Sequence, residues 1–260
     1  MRTVLHRSLV LLCLSAGSAL RPAEPQAIAN AVDERSGISI DFSADDSIFP
    51  TFWLSERIAA KATPLPASER QRSARLIKEA MAVYPVSLLK KNLKAVHAVG
   101  SMEFFGLKYG GTNSLDAIYI SDNGEEGIAD VDLRGEFHHE FSSILLRNNP
   151  EAFDTKAWMA ALPEGFEYGS GGIDAIRDGK DDLSYREKYN KDGFLNQYGQ
   201  SDIEDDFNTF AEGMLGGRKA FWEVADKYPL VGKKAKVIVA FYHALDPSFT
   251  EQSLRDLAKE

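Results

Sequence analysis

The chain has 260 residues, 44% of them hydrophobic and 27% charged. That composition excludes collagen, low-complexity disorder and a polytopic membrane protein, and it supplies enough apolar material for a real core. Thirty Lys and Arg against 39 Asp and Glu give a net charge of −9 with no long basic run, so nucleic acid and anionic membrane surfaces are not expected partners.

Residues 1–19 combine Arg2 and Arg7, an apolar stretch from Leu9 to Leu14, and small residues at Ala16, Gly17, Ser18 and Ala19. This is the layout of a secretory signal peptide, and its apolar run is too short to span a bilayer. A lipoprotein signal would place a small residue before its cysteine, whereas Leu12 precedes Cys13. Cleavage after Ala19 removes the only cysteine and two arginines, taking the net charge from −9 to −11. The expectation is a secreted or periplasmic protein, free of disulfides and of membrane after signal removal. Residues 20–36 read as a flexible lead-in, and residues 37–260 as a single domain.

In chain order, GISIDFSA (37–44) alternates like a half-buried strand. A short helix is expected over 53–62 and a stronger one over 67–83, with a helical turn at 87–92. Strand character follows at 94–99, 102–109 and 117–121, punctuated by glycines. Asp130 opens a helix to Asn148, where Asn149-Pro150 stops it. A Gly- and Tyr-rich loop region over 150–199 looks like an excursion around a site. Helices return at 203–215, 219–227 and 233–245.

The middle helix carries His138-His139-Glu140-Phe141-Ser142-Ser143. In H-E-x-x-H, two histidines four apart share a helical face and bind one zinc ion, and the glutamate serves as general base. His139 and Glu140 fit the first ligand and the base. Ser143 stands at the second ligand position, where a neutral hydroxyl is a poor substitute for imidazole.

Downstream, GFLNQYG (193–199) and EDDFNTFAE (204–212) follow HHEFSSILL (138–146). In order and separation these segments resemble the zinc-binding metallopeptidases of the gluzincin type, over about residues 94–215. The resemblance implies a zincin-like α+β fold: a small mixed sheet packed on an active-site helix, followed by a mainly helical C-terminal part. It implies zinc held by His139 and Asp205, with Ser143 or a water it holds as third ligand, and Glu140 activating water against a peptide or protein substrate. Glu204 is a one-residue alternative to Asp205. Asp205, Asn208 and Glu212 share one helical face. Two further readings stand beside this one. The fold is kept without metal as a peptide- or protein-binding module, or His139 and Glu140 form only a buried hydrogen-bonded network. In either, the acidic start of the helix at 203 complements the helix dipole.

Elsewhere, His97 and His243 read as structural histidines. Tyr198 suits either an oxyanion contact or packing. Trp158, Phe166 and Tyr168 suit a cleft wall or a small core within their loop. The GSGG at 169–172 lacks the lysine of a phosphate loop.

Overall fold

A computed structural model describes residues 28–122 and 128–258. The expected signal peptide over 1–19 lies outside the described residues. The fold is α+β, with two sheets at the N-terminal side and helices dominating the remainder. The larger sheet has the order β1-β2-β4-β8-β7. β1 (Asn30–Val32) pairs antiparallel with β2 (Ser39–Asp41). β4 (Ala95–Val99) runs parallel to β2 and to β8 (Ala117–Ser121). β7 (Gly111–Asn113) pairs antiparallel with β8 and forms the far edge. A smaller antiparallel sheet joins β3 (Lys61–Thr63), β5 (Ser101–Phe104) and β6 (Leu107–Tyr109).

The alternation along the central strands sorts two cores. Ile40, Val96, Ala98, Ile118 and Ile120 face the main core with the helices. Val99 and Tyr119 point the other way, into a small aromatic cluster with Phe49, Trp53 and Phe104. Covering both faces suits the parallel centre of the sheet, where strands rich in Val, Ile and Tyr are buried on each side.

On the main face lie α1 (Arg70–Met81), α2 (Val86–Asn92) and the long α3 (Asp130–Asn148). Phe137, Phe141, Ile144 and Leu145 of α3 are fully buried. Short helices α4 (Thr155–Met159), α5 (Gly172–Arg177) and α6 (Glu187–Asn190) punctuate the excursion that was expected as loop. The C-terminal part contains α7 (Ile203–Leu215), α8 (Lys219–Lys227), α9 (Pro229–Leu245) and α10 (Glu251–Arg255).

Several local expectations are corrected. The helix over 53–62 is instead a 3-10 turn at Thr51–Leu54, followed by β3; Ala59 takes φ 52° and turns the chain. The described end of the lead-in is held in the sheet as β1. The stretch 102–109 is a hairpin, because Phe105 and Gly106 both take positive φ. α9 starts at Pro229, whose fixed φ suits a first helical turn, rather than at 233.

Candidate functional site

Glu136, His139, Glu140 and Ser143 recur at three- and four-residue spacing on α3, and so share one face. Asp205, Asn208 and Glu212 do the same on α7. The two faces meet under β7 and, with Tyr198, line a cleft of about 400 Å³.

The helices are joined by side-chain contacts. Asn208 Nδ2 donates to Ser143 Oγ at 2.7 Å. Ser142 Oγ lies 2.7 Å from both Asn208 Oδ1 and the His139 carbonyl oxygen. Next along α7, Glu212 Oε2 sits 3.4 Å from His139 Nδ1. Asp205 is tied down differently: Tyr198 OH donates to Oδ1 at 3.0 Å and Ser201 Oγ to Oδ2 at 2.6 Å. Asp202 caps α7 by accepting from the Asp205 amide at 2.7 Å. From the sheet, Asn113 Nδ2 donates to Glu140 Oε2 at 2.7 Å. Arg147 Nη2 in turn donates to Asn113 Oδ1 at 2.6 Å and fixes the amide's orientation.

Close approach demands glycine here. A Cβ on Gly111 would collide with the Glu136 carboxylate and come within 2.7 Å of Glu140 Oε1. A Cβ on Gly172 would collide with Tyr198 OH and come within 2.9 Å of Asp205 Oδ2.

The electrostatics follow from crowding acids around one imidazole. Burial would lower the His139 pKa, but Glu212, Glu140 and Glu136 overcome it and hold it up at about 10. Burial raises Glu136 to about 8, with the charges of Glu140 and Glu212 adding and that of His139 opposing. Glu140 is raised by burial, against His139 and the Asn113 hydrogen bond. Burial, with Asp202 nearby, lifts Asp205 to about 6.

The structure thus brings His139, Glu140, Ser143 and Asp205 to one cleft. Among the described residues, no group of three or more His, Cys, Asp and Glu side chains is arranged to hold a metal ion. Glu204 lies at the cleft rim, half-exposed and 3.9 Å from Arg147. Sequence reasoning missed Glu136 and Asn113 as site residues. Helical spacing would have found Glu136, three residues before His139. Asn113 lies in a three-residue strand with no periodic signal.

The remaining candidates are structural. His138 is buried, with its Nδ1 hydrogen-bonded to Tyr84 OH at 2.9 Å. His97 stacks on Tyr119 at 4.9 Å. His243 Nδ1 lies 3.0 Å from the Phe249 carbonyl oxygen. Trp158 is fully buried in the main core against Phe207 and Phe210 of α7, while Phe166 and Tyr168 pack with Phe194.

This is a zincin-like α+β fold. A solved structure with the same architecture is a protein of Bacteroides caccae described as a "putative zinc-binding metallo-peptidase". The two share a TM-score of 0.50 and 17% identity, over 71% of this chain and 73% of the other. No family model and no curated protein matches the chain.

Proposed function

We propose that this chain is an exported, zincin-like module that binds an extended peptide in the α3–α7 cleft without hydrolysing it. The observation that carries the reading is the outer edge of β7, which no strand among the described residues pairs. Gly110 O and Ser114 N bond to β8 at Ser121 and Ala117. With Thr112 opposite Tyr119 in the same alternation, the N–H and C=O groups of Gly111 and Asn113 point away from β8. An extended peptide completes such an edge by strand addition. The cleft beneath it carries Glu136, Glu140, Asp205 and Glu212, which favours a peptide with a basic side chain. The export reading rests on the sequence of residues 1–19. Among the described residues no helix is long and apolar enough to cross a membrane.

A zinc ion does not fit this donor set. One imidazole faces the cleft, and the second ligand position holds a hydroxyl already engaged by Asn208. Both Asp205 oxygens already accept hydrogen bonds. Structural and catalytic zinc sites use at least three N, S or carboxylate ligands. The test is NMR titration with blocked lysine-containing peptides. Shifts of the Gly111 and Asn113 amides with no cleavage support the reading; intact amide signals throughout, or peptide cleavage, refute it.

One observation favours a second reading, a zinc-dependent peptide hydrolase. Glu212 addresses His139 Nδ1, the arrangement in which a carboxylate orients a metal-bound imidazole through its other nitrogen. Elemental analysis after refolding in excess zinc separates the two: stoichiometric zinc, with peptidase activity lost in Glu140→Gln, would establish the hydrolase.

A further inference from the structure

We propose that Phe52, Trp53 and Leu115 form the seat for one large apolar side chain of the peptide strand that pairs with β7; this rests on the peptide-binding reading above. Phe52 is 66% exposed and Leu115 is 75% exposed. Single exposed apolar residues are ordinary on a protein surface. These two, with Trp53 and Pro50, wall a hollow of about 410 Å³. Asn113 lines both this hollow and the acidic cleft, so the two are continuous along β7.

The strand register gives the path. Gly111 and Asn113 present their backbone groups to the open edge, and Leu115 lies just past them in the two-residue turn that joins β7 to β8. A partner strand following that edge leaves the carboxylates near Gly111 and reaches the hollow near Leu115. At about 3.3 Å per residue, its basic and apolar side chains stand two to four positions apart. Arg147 Nη1 donates to Ser114 O at 2.9 Å and Nη2 to Asn113 Oδ1 at 2.6 Å, which holds this stretch of edge in place. Charge selects the occupant. A second copy of this acidic chain would bring carboxylates against carboxylates, whereas a peptide carrying lysine and an aromatic residue complements both surfaces.

The probe is a set of blocked threonine heptapeptides with one lysine and one phenylalanine, two to four positions apart, and the same set with glycine replacing phenylalanine. The full chain is titrated by NMR. At least one phenylalanine peptide is expected to bind about tenfold tighter than its glycine counterpart. In the variant carrying Phe52→Ser and Leu115→Ser, whose side chains are exposed and dispensable to the core, that preference disappears while the glycine peptides bind as before. If phenylalanine and glycine peptides shift Gly111 and Asn113 equally, the apolar seat is overturned and peptide binding stands. If no peptide shifts those amides, both fall. If the double substitution turns an unliganded dimer into a monomer on sedimentation, the patch serves a second copy and the proposal is wrong.

Discussion

Replacing Lys234 with methionine should expose the cost of burying Asp206. Both side chains are inaccessible to solvent, and Lys234 Nζ donates to Asp206 Oδ2 at 2.5 Å between α9 and α7. Tyr168 OH also donates to Oδ2, at 2.6 Å, while Oδ1 has no hydrogen-bond partner among the described residues. The ammonium lies 3.9 Å above the Phe194 ring. Burial already lifts Asp206 to about 6 with the lysine present, and burial lowers Lys234. Without the lysine the carboxylate has two courses. Staying charged and unpaired costs several kcal/mol. Taking up a proton costs less: from the ordinary value of 3.8, protonation at pH 7 spans 3.2 pH units, or about 4.4 kcal/mol at 1.36 per unit. The unaltered chain, with Asp206 at about 6, already bears about 3 kcal/mol of it, so the titration adds about 1.4 kcal/mol in the variant. Because the folded-state pKa is raised, the penalty is absent below 3.8 and grows as pH rises. At pH 5, below about 6, Asp206 is protonated with or without the lysine, and this added loss falls to near zero. Urea unfolding at the two pH values should therefore show Lys234→Met destabilising by about 1–2 kcal/mol more at pH 7 than at pH 5. Adding Asp206→Asn should recover part of the pH 7 loss. A penalty equal at both pH values would refute the reasoning.

Gly111→Ala should displace the Glu136 and Glu140 carboxylates, since the new Cβ would lie within 2.7 Å of Glu140 Oε1. Peptide binding measured by calorimetry should weaken about tenfold or more, with the unfolding midpoint only slightly changed. His138 is buried and its pKa is held down at about 3, by burial and then by the Arg134 charge. Its contribution to stability is therefore full above 6.5 and is lost as pH falls toward 3, by up to about 4–5 kcal/mol. His138→Gln should flatten that acid limb in urea titrations between pH 6 and 4; an unchanged limb would show that His138 does not carry it. Ser143→His alone should bind no zinc, because the Asn208 amide occupies the space beside Ser143. Combined with Asn208→Gly it should bind zinc measurably by elemental analysis, and stoichiometric zinc in the unaltered chain would contradict the whole account of the donor set.

Periodicity located what it governs. The apolar face of α3 and the runs of β4 and β8 were readable because burial repeats every three to four residues in the one and runs through the others. The same rule grouped Asp205, Asn208 and Glu212 on one face of α7. The strands that escaped notice, β1, β3 and β7, have three residues each and are half-exposed, so none offers a full alternation to count. At 53–62 a tertiary turn overrode helix propensity. The site was half legible. His139 and Glu140 stood out as a motif, but their partners Asn113 and Glu212 are supplied by distant segments that only the fold brings within reach.

Charge balance ties the cleft's chemistry to its proposed ligand. In a site built around a divalent cation, clustered carboxylates are neutralised by the metal. Here the cations at hand are the His139 imidazolium, kept protonated through neutral pH by Glu212, Glu140 and Glu136, and Arg218, whose Nη2 lies 3.4 Å from Glu212 Oε1. Burial, with the charges of Glu140 and Glu212 adding and that of His139 opposing, makes a negative charge on Glu136 costly, so Glu136 retains a proton near pH 7. Binding a basic side chain removes that cost: Glu136 would release its proton as the ligand's charge arrives. Peptide affinity should then rise with pH through about 8, and calorimetry in buffers of different ionisation enthalpy should detect about one proton released per peptide bound. A pH-independent affinity with no proton release would mean that the ligand's charge is not read by this cluster.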